Sequence, residues 1–229
     1  MHAAGPVWAV VVAGGSGSRF GRPKQFDLLV GTPVVAWAVR AARSATDGVV
    51  LVVPDDRVDE AQRFGADATV AGGPSRSASV RRGLAQVPED ASVVVVHDAA
   101  RPLASAALFA AVVAPIVDPS TLADAVVCAL PVVDTLKRLG PDGVTVAGTV
   151  DRSGLVAVQT PQAFRASVLR EAHAAGGDAT DDAALVESVG GTVLVVPGER
   201  QNVKLTVAAD LALLEHLLAC DPALVEHGR

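Results

Sequence analysis

The stretch VWAVVVAGGSGSR, Val7–Arg19, joins a short apolar run directly to a glycine-rich turn. The uninterrupted apolar residues of Val7–Val12 are typical of a strand that is buried on both faces of a sheet. In the turn that follows, the absence of glycine side chains lets backbone N–H groups approach and surround phosphate oxygens. We therefore predict a buried strand with an anion-binding loop at its carboxyl end, where Arg19 adds a cationic side chain.

Similar apolar runs recur along the chain and alternate with longer segments that carry apolar residues at helical spacing. This alternation predicts βαβ units and hence an α/β fold with a mostly parallel sheet. With 229 residues and 50% hydrophobic content, the chain is long enough for one sizeable core, so we predict a single domain over residues 1–229. The predicted strands are Val7–Val12, Val49–Val53, Val93–Val96, Ala125–Leu130 and Val193–Val196, and the predicted helices are Val34–Ala45, Arg57–Phe64, Val80–Gln86, Ala104–Val113 and Ala208–Cys220.

The pattern changes over residues 132–158, where Pro141-Asp142-Gly143 marks a turn between segments with scattered polar residues. This segment predicts a protruding β-hairpin arm. A hairpin of this size is only marginally stable alone, so it should pack on another surface. We expect that surface to belong to a second copy of the chain and predict a homodimer.

Composition excludes several classes of partner. The net charge of −6 and an aromatic content of 3% do not suit a nucleic-acid-binding surface. The apolar run Val7–Ala13 is too short to span a membrane, and the residues before it lack the basic region of a signal peptide, so we predict a cytoplasmic protein. Cys128 and Cys220 are far apart in sequence and have no zinc-site spacing; both are interpreted as core residues.

Charged side chains follow two of the predicted strands. Lys24 comes just after the glycine turn, where it can neutralise charge on a phosphoryl group. Asp98 follows the strand Val93–Val96, and a single carboxylate there can hold Mg²⁺ against triphosphate oxygens. Arg101 can contact a second phosphate, whereas His97 is interpreted as structural. These residues predict phosphoryl chemistry at one edge of the sheet.

Each segment on its own also has a purely structural interpretation. The glycines can serve only a turn with positive φ, Lys24 can be a solvated surface residue, and Asp98 can cap a helix with Arg101 as its surface partner. The standard nucleotide-binding motifs do not fit, because Phe20 stands where the dinucleotide spacing needs a third glycine, and no Gly-Lys-Ser/Thr ending is present.

Taken together, the segments resemble the 2-C-methyl-D-erythritol 4-phosphate cytidylyltransferases of the non-mevalonate isoprenoid pathway, and the likeness spans nearly the whole chain. Several ordered matches are more specific than any one of them. The resemblance rests on Ala13–Arg19, Pro23–Phe26, Gly72-Gly73 with Arg76 and Ser79, Val96–Pro102, Asp134–Lys137, Asp151-Arg152, Gln159–Gln162, Thr180–Ala183 and Asn202–Thr206.

The resemblance implies a Rossmann-like domain with helices on both faces of the sheet and an arm that pairs two subunits. It also implies an enzyme that transfers CMP from CTP to 2-C-methyl-D-erythritol 4-phosphate with Mg²⁺, by in-line attack on the α-phosphorus, giving 4-diphosphocytidyl-2-C-methyl-D-erythritol and pyrophosphate. The implied catalytic residues are Lys24, Lys204 and Arg19, with Asp98 as the metal ligand. The implied CTP-binding residues are Ala13, Gly14, Gly15, Gly17, Gly73, Ser79 and Ala99, and the implied substrate-binding residues are Arg101, Thr135, Thr160, Thr180 and, from the arm of the partner subunit, Arg152.

Three alternatives stay open. A ribitol 5-phosphate cytidylyltransferase shares most of these segments. A non-catalytic nucleotide-binding module would keep the fold without turnover, although Lys24, Asp98 and Lys204 are all present. An NAD-dependent dehydrogenase fits less well, because Asp55 and Asp56 lie too far along the chain to meet the ribose. Pro74, which follows the double glycine, offers a bound base neither a carboxylate nor an N–H.

Overall fold

The computed structural model describes residues 5–14 and 24–221. Strands and helices alternate over most of this length, as the sequence predicts. The strands are β1 (Val7–Val12), β2 (Leu28–Leu29), β3 (Thr32–Pro33), β4 (Gly48–Val53), β5 (Ala68–Ala71), β6 (Val93–Asp98), β7 (Ala125–Pro131), β8 (Lys137–Leu139), β9 (Val146–Thr149), β10 (Val156–Arg165) and β11 (Val193–Pro197).

Seven of these strands form one sheet, in the order β11-β7-β10-β6-β1-β4-β5. Strand β1 lies parallel to both β4 and β6, β4 lies parallel to β5, and β7 lies parallel to β11. Strand β10 alone runs antiparallel, between β6 and β7. The prediction of a mostly parallel α/β sheet is therefore confirmed, and so is each predicted strand within one or two residues.

Helices cover both faces of the sheet because side chains alternate along the central strands. In β1, Val11 faces a core layer shared with Phe109, whereas its neighbour Val10 faces a second layer shared with Phe164 and Leu169. All of these side chains are fully buried. The pattern is that of strands covered on both faces, which explains why they are continuously apolar.

The helices are α1 to α7, and short 3₁₀ turns flank the shortest of them. Ser75 and Ser105 begin two helices by accepting a hydrogen bond from the backbone N–H three residues on, at 3.1 and 3.0 Å. The bounds are α1 Val34–Arg43, α2 Val58–Ala61, α3 Arg76–Leu84, α4 Ala106–Val117, α5 Ala166–Ala174, α6 Asp182–Ser188 and α7 Ala208–Cys220.

Several sequence-based bounds were wrong. The helix expected over Arg57–Phe64 is the single turn α2 between two 3₁₀ turns, which Gly65 ends at φ +82°. Helix α3 begins four residues earlier than expected, at the serine cap. Strands β2, β3 and β5 and helix α6 were not predicted because they are short or half-exposed. Helix α5 was also missed, although its buried residues Ala166, Leu169 and Ala172 recur at helical spacing.

Strand β10 was also missed, although it lies in the middle of the sheet. Its residues Gln159–Gln162 are polar or proline, which argues against a central strand. The pairing register with β7 shifts between Val158 and Gln162, so the ladder skips Pro161, which has no N–H to donate. The irregularity lets a central strand carry buried polar side chains.

The hairpin expected over residues 132–158 forms between β8 and β9, which pair antiparallel. Asp142 closes the turn by accepting hydrogen bonds from the N–H groups of Val144 and Thr145, and Gly143 adopts φ +70°. Apolar side chains on it remain exposed, including Val144 at 81% and Val146 at 54%. That this hairpin is a dimerisation arm stays a prediction.

Helix α7 packs with Leu214 and Leu218 buried and Leu211 half-buried against a third cluster around Leu29, as expected from their spacing. Cys128 is buried in β7, but the interpretation of Cys220 as a core residue was wrong, since it lies exposed at the end of α7. No helix in the described part of the chain combines the length and apolarity needed to cross a membrane.

Candidate active site

Three predicted nucleotide-binding residues meet where β1 and β5 end. The hydroxyl of Ser79, in the first turns of α3, accepts a hydrogen bond from the N–H of Gly73 at 3.0 Å and donates one to the Ser75 carbonyl at 2.9 Å. A Cβ on Gly14 would lie 3.2 Å from this hydroxyl, and one on Gly73 would collide with Ala78. The glycines therefore allow close backbone packing around Ser79, leaving a surface built of main-chain groups.

Two further predicted residues line the same edge of the sheet. The backbone N–H of Ala13 donates to the Val52 carbonyl at 2.7 Å, and the N–H of Ala99 donates to the Val12 carbonyl at 3.0 Å. Both alanines are fully buried. These bonds extend the parallel ladder past the strand ends and fix the two loops next to each other.

Asp98 occupies the last position of β6, beside this surface, and its carboxylate contacts two cations. Oδ2 lies 2.6 Å from Nζ of Lys204, and Oδ1 lies 3.4 Å from Nε of Arg76. Burial alone would raise the pKa of the Asp98 carboxyl, but the positive charges of Lys204 and Arg76 outweigh burial and lower it to about 2. Asp98 is therefore ionised at pH 7.

The loop that carries Lys204 is held by a fully buried asparagine. The side-chain amide of Asn202 donates to the Thr160 carbonyl at 2.9 Å, and its backbone carbonyl accepts from Nη1 of Arg101 at 2.7 Å. Gln159 contributes a further pair of bonds to Glu199, at 3.0 and 3.1 Å. These hydrogen bonds thus hold together three residues that are far apart in sequence: Arg101, Thr160 and Lys204.

His97 is structural, as the sequence analysis expected. Its ring is fully buried, with Nε2 3.1 Å from the Arg101 carbonyl and Nδ1 3.2 Å from the hydroxyl of Thr160. That hydroxyl also accepts a hydrogen bond from the backbone N–H of Asp98, at 3.0 Å. Burial lowers the pKa of His97 to about 4, so the ring is neutral at pH 7.

We expect this buried histidine to make the fold sensitive to mild acid. An unfolded histidine takes up a proton near pH 6.5, whereas His97 in the folded protein stays neutral until about pH 4. Its contribution to stability is complete above pH 6.5 and is lost as the pH falls towards 4. Urea unfolding at pH 7 and 4.5 should show that wild type loses about 2 kcal/mol more than His97→Asn. Equal losses in the two proteins would contradict the assignment.

Polar contacts extend from Asp98 into the core through Arg76, Asp182 and His173, for which the sequence predicts no role. Nη1 of Arg76 lies 2.7 Å from Oδ2 of Asp182, and Oδ1 of Asp182 lies 3.0 Å from Nε2 of His173. Asp182 is fully buried and His173 nearly so. One signal in the sequence points to Asp182: in Asp181-Asp182 the first residue caps α6, so the second charge needs another partner.

Other predicted residues lie apart from this cluster. Thr135, Arg152 and Thr180 are exposed, and among the described residues no hydrogen bond joins any of them to Asp98 or Lys204. Lys24 begins a 3₁₀ turn and is half-buried. Gly15, Gly17 and Arg19 lie outside the described residues.

The residues present fit a triphosphate-bound Mg²⁺ better than a site made by protein alone. In residues 5–14 and 24–221 no group of three or more His, Cys, Asp or Glu side chains could hold a metal. Mg²⁺ commonly takes one or two carboxylates and completes its shell with water and substrate phosphates. Asp98 supplies one ionised carboxylate beside the glycine surface, which suits that arrangement.

Known proteins of similar sequence and fold point to one family. The family model of 2-C-methyl-D-erythritol 4-phosphate cytidylyltransferase, IspD, matches residues 7–219. Proteins of that name from Frankia casuarinae and Rhodococcus opacus are each 45% identical to this chain, over 95% and 98% of it and 83% and 97% of their own lengths. The crystal structure of the Thermus thermophilus protein of that name superposes with a TM-score of 0.77 at 34% identity, covering 92% of this chain and 98% of that one. The chain belongs to the 2-C-methyl-D-erythritol 4-phosphate cytidylyltransferase family.

Proposed function

We propose that this enzyme transfers the cytidylyl group of CTP to 2-C-methyl-D-erythritol 4-phosphate and releases pyrophosphate. The observation that carries the proposal is the Asp98–Lys204 ion pair, which lies at the carboxyl end of β6 beside the surface formed by Gly14, Gly73 and Ser79. Ligands of open α/β sheets bind at this edge. Family membership supports both substrates.

Cytidylyl transfer requires the protein mainly to position the two substrates and to neutralise their negative charge. The attacking group is a phosphate oxygen that is already ionised at neutral pH, so no general base is needed. The barrier comes from bringing two polyanions together and from the charge that develops at the α-phosphorus. We assign Lys24 and Lys204 to the α-phosphate and Arg101 to the phosphate of the polyol.

Asp98 is assigned to Mg²⁺, which when bound neutralises the triphosphate and favours departure of pyrophosphate. Both carboxylate oxygens of Asp98 face cations in this structure, and the closer one is Lys204. Lys204 is 45% exposed, so it can swing from Asp98 towards a phosphate without leaving a buried charge behind. In this scheme Asp98 exchanges one cation for another while Lys204 moves onto the reacting group.

Pyrophosphate release tests the activity directly. We expect release with CTP, Mg²⁺ and 2-C-methyl-D-erythritol 4-phosphate, and much slower release with ribitol 5-phosphate or with another nucleoside triphosphate. Preference for ribitol 5-phosphate would keep the mechanism and change the substrate. Release with ATP or UTP as fast as with CTP would show that Pro74, which is exposed next to the glycine surface, leaves the base unselected. No release with either polyol would leave a nucleotide-binding module.

We further propose that the active enzyme is a cytoplasmic homodimer in which the hairpin docks on the partner subunit. The exposed Val144 and Val146 support this, because apolar side chains on a hairpin that small favour burial against another surface. Arg152 lies exposed just after β9, where it can reach a neighbouring subunit's substrate.

A mixture of two inactive variants tests that arrangement. Lys24→Ala and Arg152→Ala should each be nearly inactive alone, but mixing them after mild dissociation should restore roughly a quarter of wild-type activity. Half of the randomly formed dimers are hybrids, and each hybrid has one site with both residues intact. If Arg152 instead serves its own subunit's site, no hybrid site is intact and the mixture stays inactive.

A further inference from the structure

Five charged or titratable side chains form one line from the reaction centre to the core: Lys204, Asp98, Arg76, Asp182 and His173. Each is within 3.4 Å of the next. The outer three side chains are partly exposed, Lys204 at 45%, Asp98 at 14% and Arg76 at 25%, whereas Asp182 at 0% and His173 at 3% are buried. The outer end is free to move, and the inner end is enclosed by protein.

The inner end of the line fixes Arg76. A fully buried carboxylate is costly unless it is paired, and in the described structure the Asp182 side chain contacts the Arg76 guanidinium and the His173 ring. The strong contact of Arg76 is with Asp182, at 2.7 Å, whereas its contact with Asp98 is longer, at 3.4 Å. Arg76 is therefore anchored from the inside and presents its remaining donors to Asp98.

This anchoring matters because Lys204 has two tasks in the proposed function, on which this inference rests. While Lys204 pairs with Asp98 it cannot contact a phosphate. When it leaves, Asp98 needs another cation that holds its carboxylate in place and leaves one oxygen open, and Arg76 contacts only Oδ1. The oxygen that Lys204 vacates, Oδ2, is then the one that faces the ligand.

We propose that Asp182 and His173 are positioning residues that hold Arg76 against Asp98, so that Asp98 can exchange Lys204 for Mg²⁺–CTP without moving. None of the three, Arg76, Asp182 or His173, touches substrate in this scheme. They act through the geometry and charge of the Asp98 carboxylate, which holds Mg²⁺–CTP in this scheme. Partners of a metal ligand typically contribute 10- to 100-fold to metal affinity or activity.

Asp182→Asn tests the proposal, because it removes the charge and keeps the shape. Calorimetric titration of the whole protein with CTP, in excess Mg²⁺ and again in EDTA, measures the part of nucleotide binding that depends on the metal. We expect Asp182→Asn to weaken binding roughly 10-fold or more in Mg²⁺ and to leave binding in EDTA within about 2-fold of wild type. An equal loss in both conditions would mean a general structural defect and would overturn the proposal.

The neighbouring acid provides a matched control. Asp181 caps α6 by accepting from the N–H of Ala184 and from Gln162, and it does not contact Arg76. Asparagine caps helices about as well as aspartate, so Asp181→Asn removes the same charge one residue away. It should bind CTP as wild type does in both conditions. If it matches Asp182→Asn, the loss is one of general charge and the inference fails.

A second pair of variants covers the case in which Asp182→Asn does not fold. Arg76→Gln keeps a hydrogen-bond donor for Asp182 but removes its cation, so it should fold with reduced stability, whereas Arg81→Gln from the same helix, whose side chain donates to the Gly177 carbonyl, should fold normally. Arg76→Gln should lose the Mg²⁺-dependent part of CTP binding, Arg76→Lys should recover some of it, and Arg81→Gln should keep it. Wild type separates this inference from the proposed function on which it rests. If CTP binding by wild type is independent of Mg²⁺, the metal role assigned to Asp98 in the proposed function fails. If wild type depends on Mg²⁺ but Arg76→Gln and Arg81→Gln bind CTP alike, only this inference fails.

Discussion

Lys204→Ala is expected to lower kcat roughly 100- to 1000-fold, with little change in folding. Removing one preorganised electrostatic contact to a transition state typically costs about 3 to 4 kcal/mol of barrier. The side chain is 45% exposed and its loop is held by Asn202, so truncation removes charge without opening the core. Pre-steady-state pyrophosphate release at saturating CTP measures the effect on the chemical step.

Arg200→Ala is the control for this experiment. Arg200 is an exposed cation on the same loop, and among the described residues it makes no side-chain hydrogen bond or ion pair. Its replacement changes the net charge equally and should leave kcat within about 2-fold, since exposed charges contribute little. A Lys204→Ala enzyme that turns over as fast as Arg200→Ala would refute the role assigned to Lys204.

Asp98→Asn is expected to cause a loss of similar size and, in addition, to abolish the response to Mg²⁺. Asparagine keeps the shape of the side chain but offers a metal no negative charge. The pKa of Asp98 is about 2, so the carboxylate is ionised in wild type and its protonation should not limit Mg²⁺ activation between pH 7 and pH 5. Turnover measured against Mg²⁺ concentration should rise and saturate for wild type and stay low and flat for the variant.

Folding of Asp98→Asn serves as its internal check. Arg76 keeps its contact with Asp182 and Lys204 is free to face solvent, so we expect the variant to fold with a stability loss of about 2 kcal/mol, as the lowered pKa of Asp98 implies. A variant that is folded yet retains wild-type activation by Mg²⁺ would show that the metal is held elsewhere.

The sequence predicts the parallel part of the fold well because strands covered on both faces must be apolar throughout, and Val49–Val53 and Val93–Val96 have no other simple explanation. Strand β10 cannot be predicted in this way, because its polar residues form hydrogen bonds to partners that only the folded structure brings close. The hydroxyl of Thr160 bonds to Asp98, and Gln159 bonds to Glu199. The local sequence pattern does not reveal such long-range hydrogen-bond partners.

The residues of the candidate site also fall into those that the sequence could predict and those that it could not. Residues whose type alone suggests chemistry, such as Asp98 at the end of a strand, could be picked out from sequence, and the order of the motifs supplied Lys204. The line through Arg76, Asp182 and His173 could not be predicted from sequence. It joins the first residue of α3 to the first residue of α6 and to a buried histidine, and Arg76 is far from the other two in sequence. Ion pairs of this kind have no sequence period.

The position of β10 has a consequence for how the chain emerges during synthesis. Strand β6 is completed long before β10, which is its neighbour in the finished sheet. Until β10 is made, the apolar residues of Val93–Val96 form an open sheet edge, and the first half of the protein presents a template for pairing with other nascent chains. Truncated products that end before Val156 should therefore aggregate, and ribosome pausing within the hairpin should prolong that exposure.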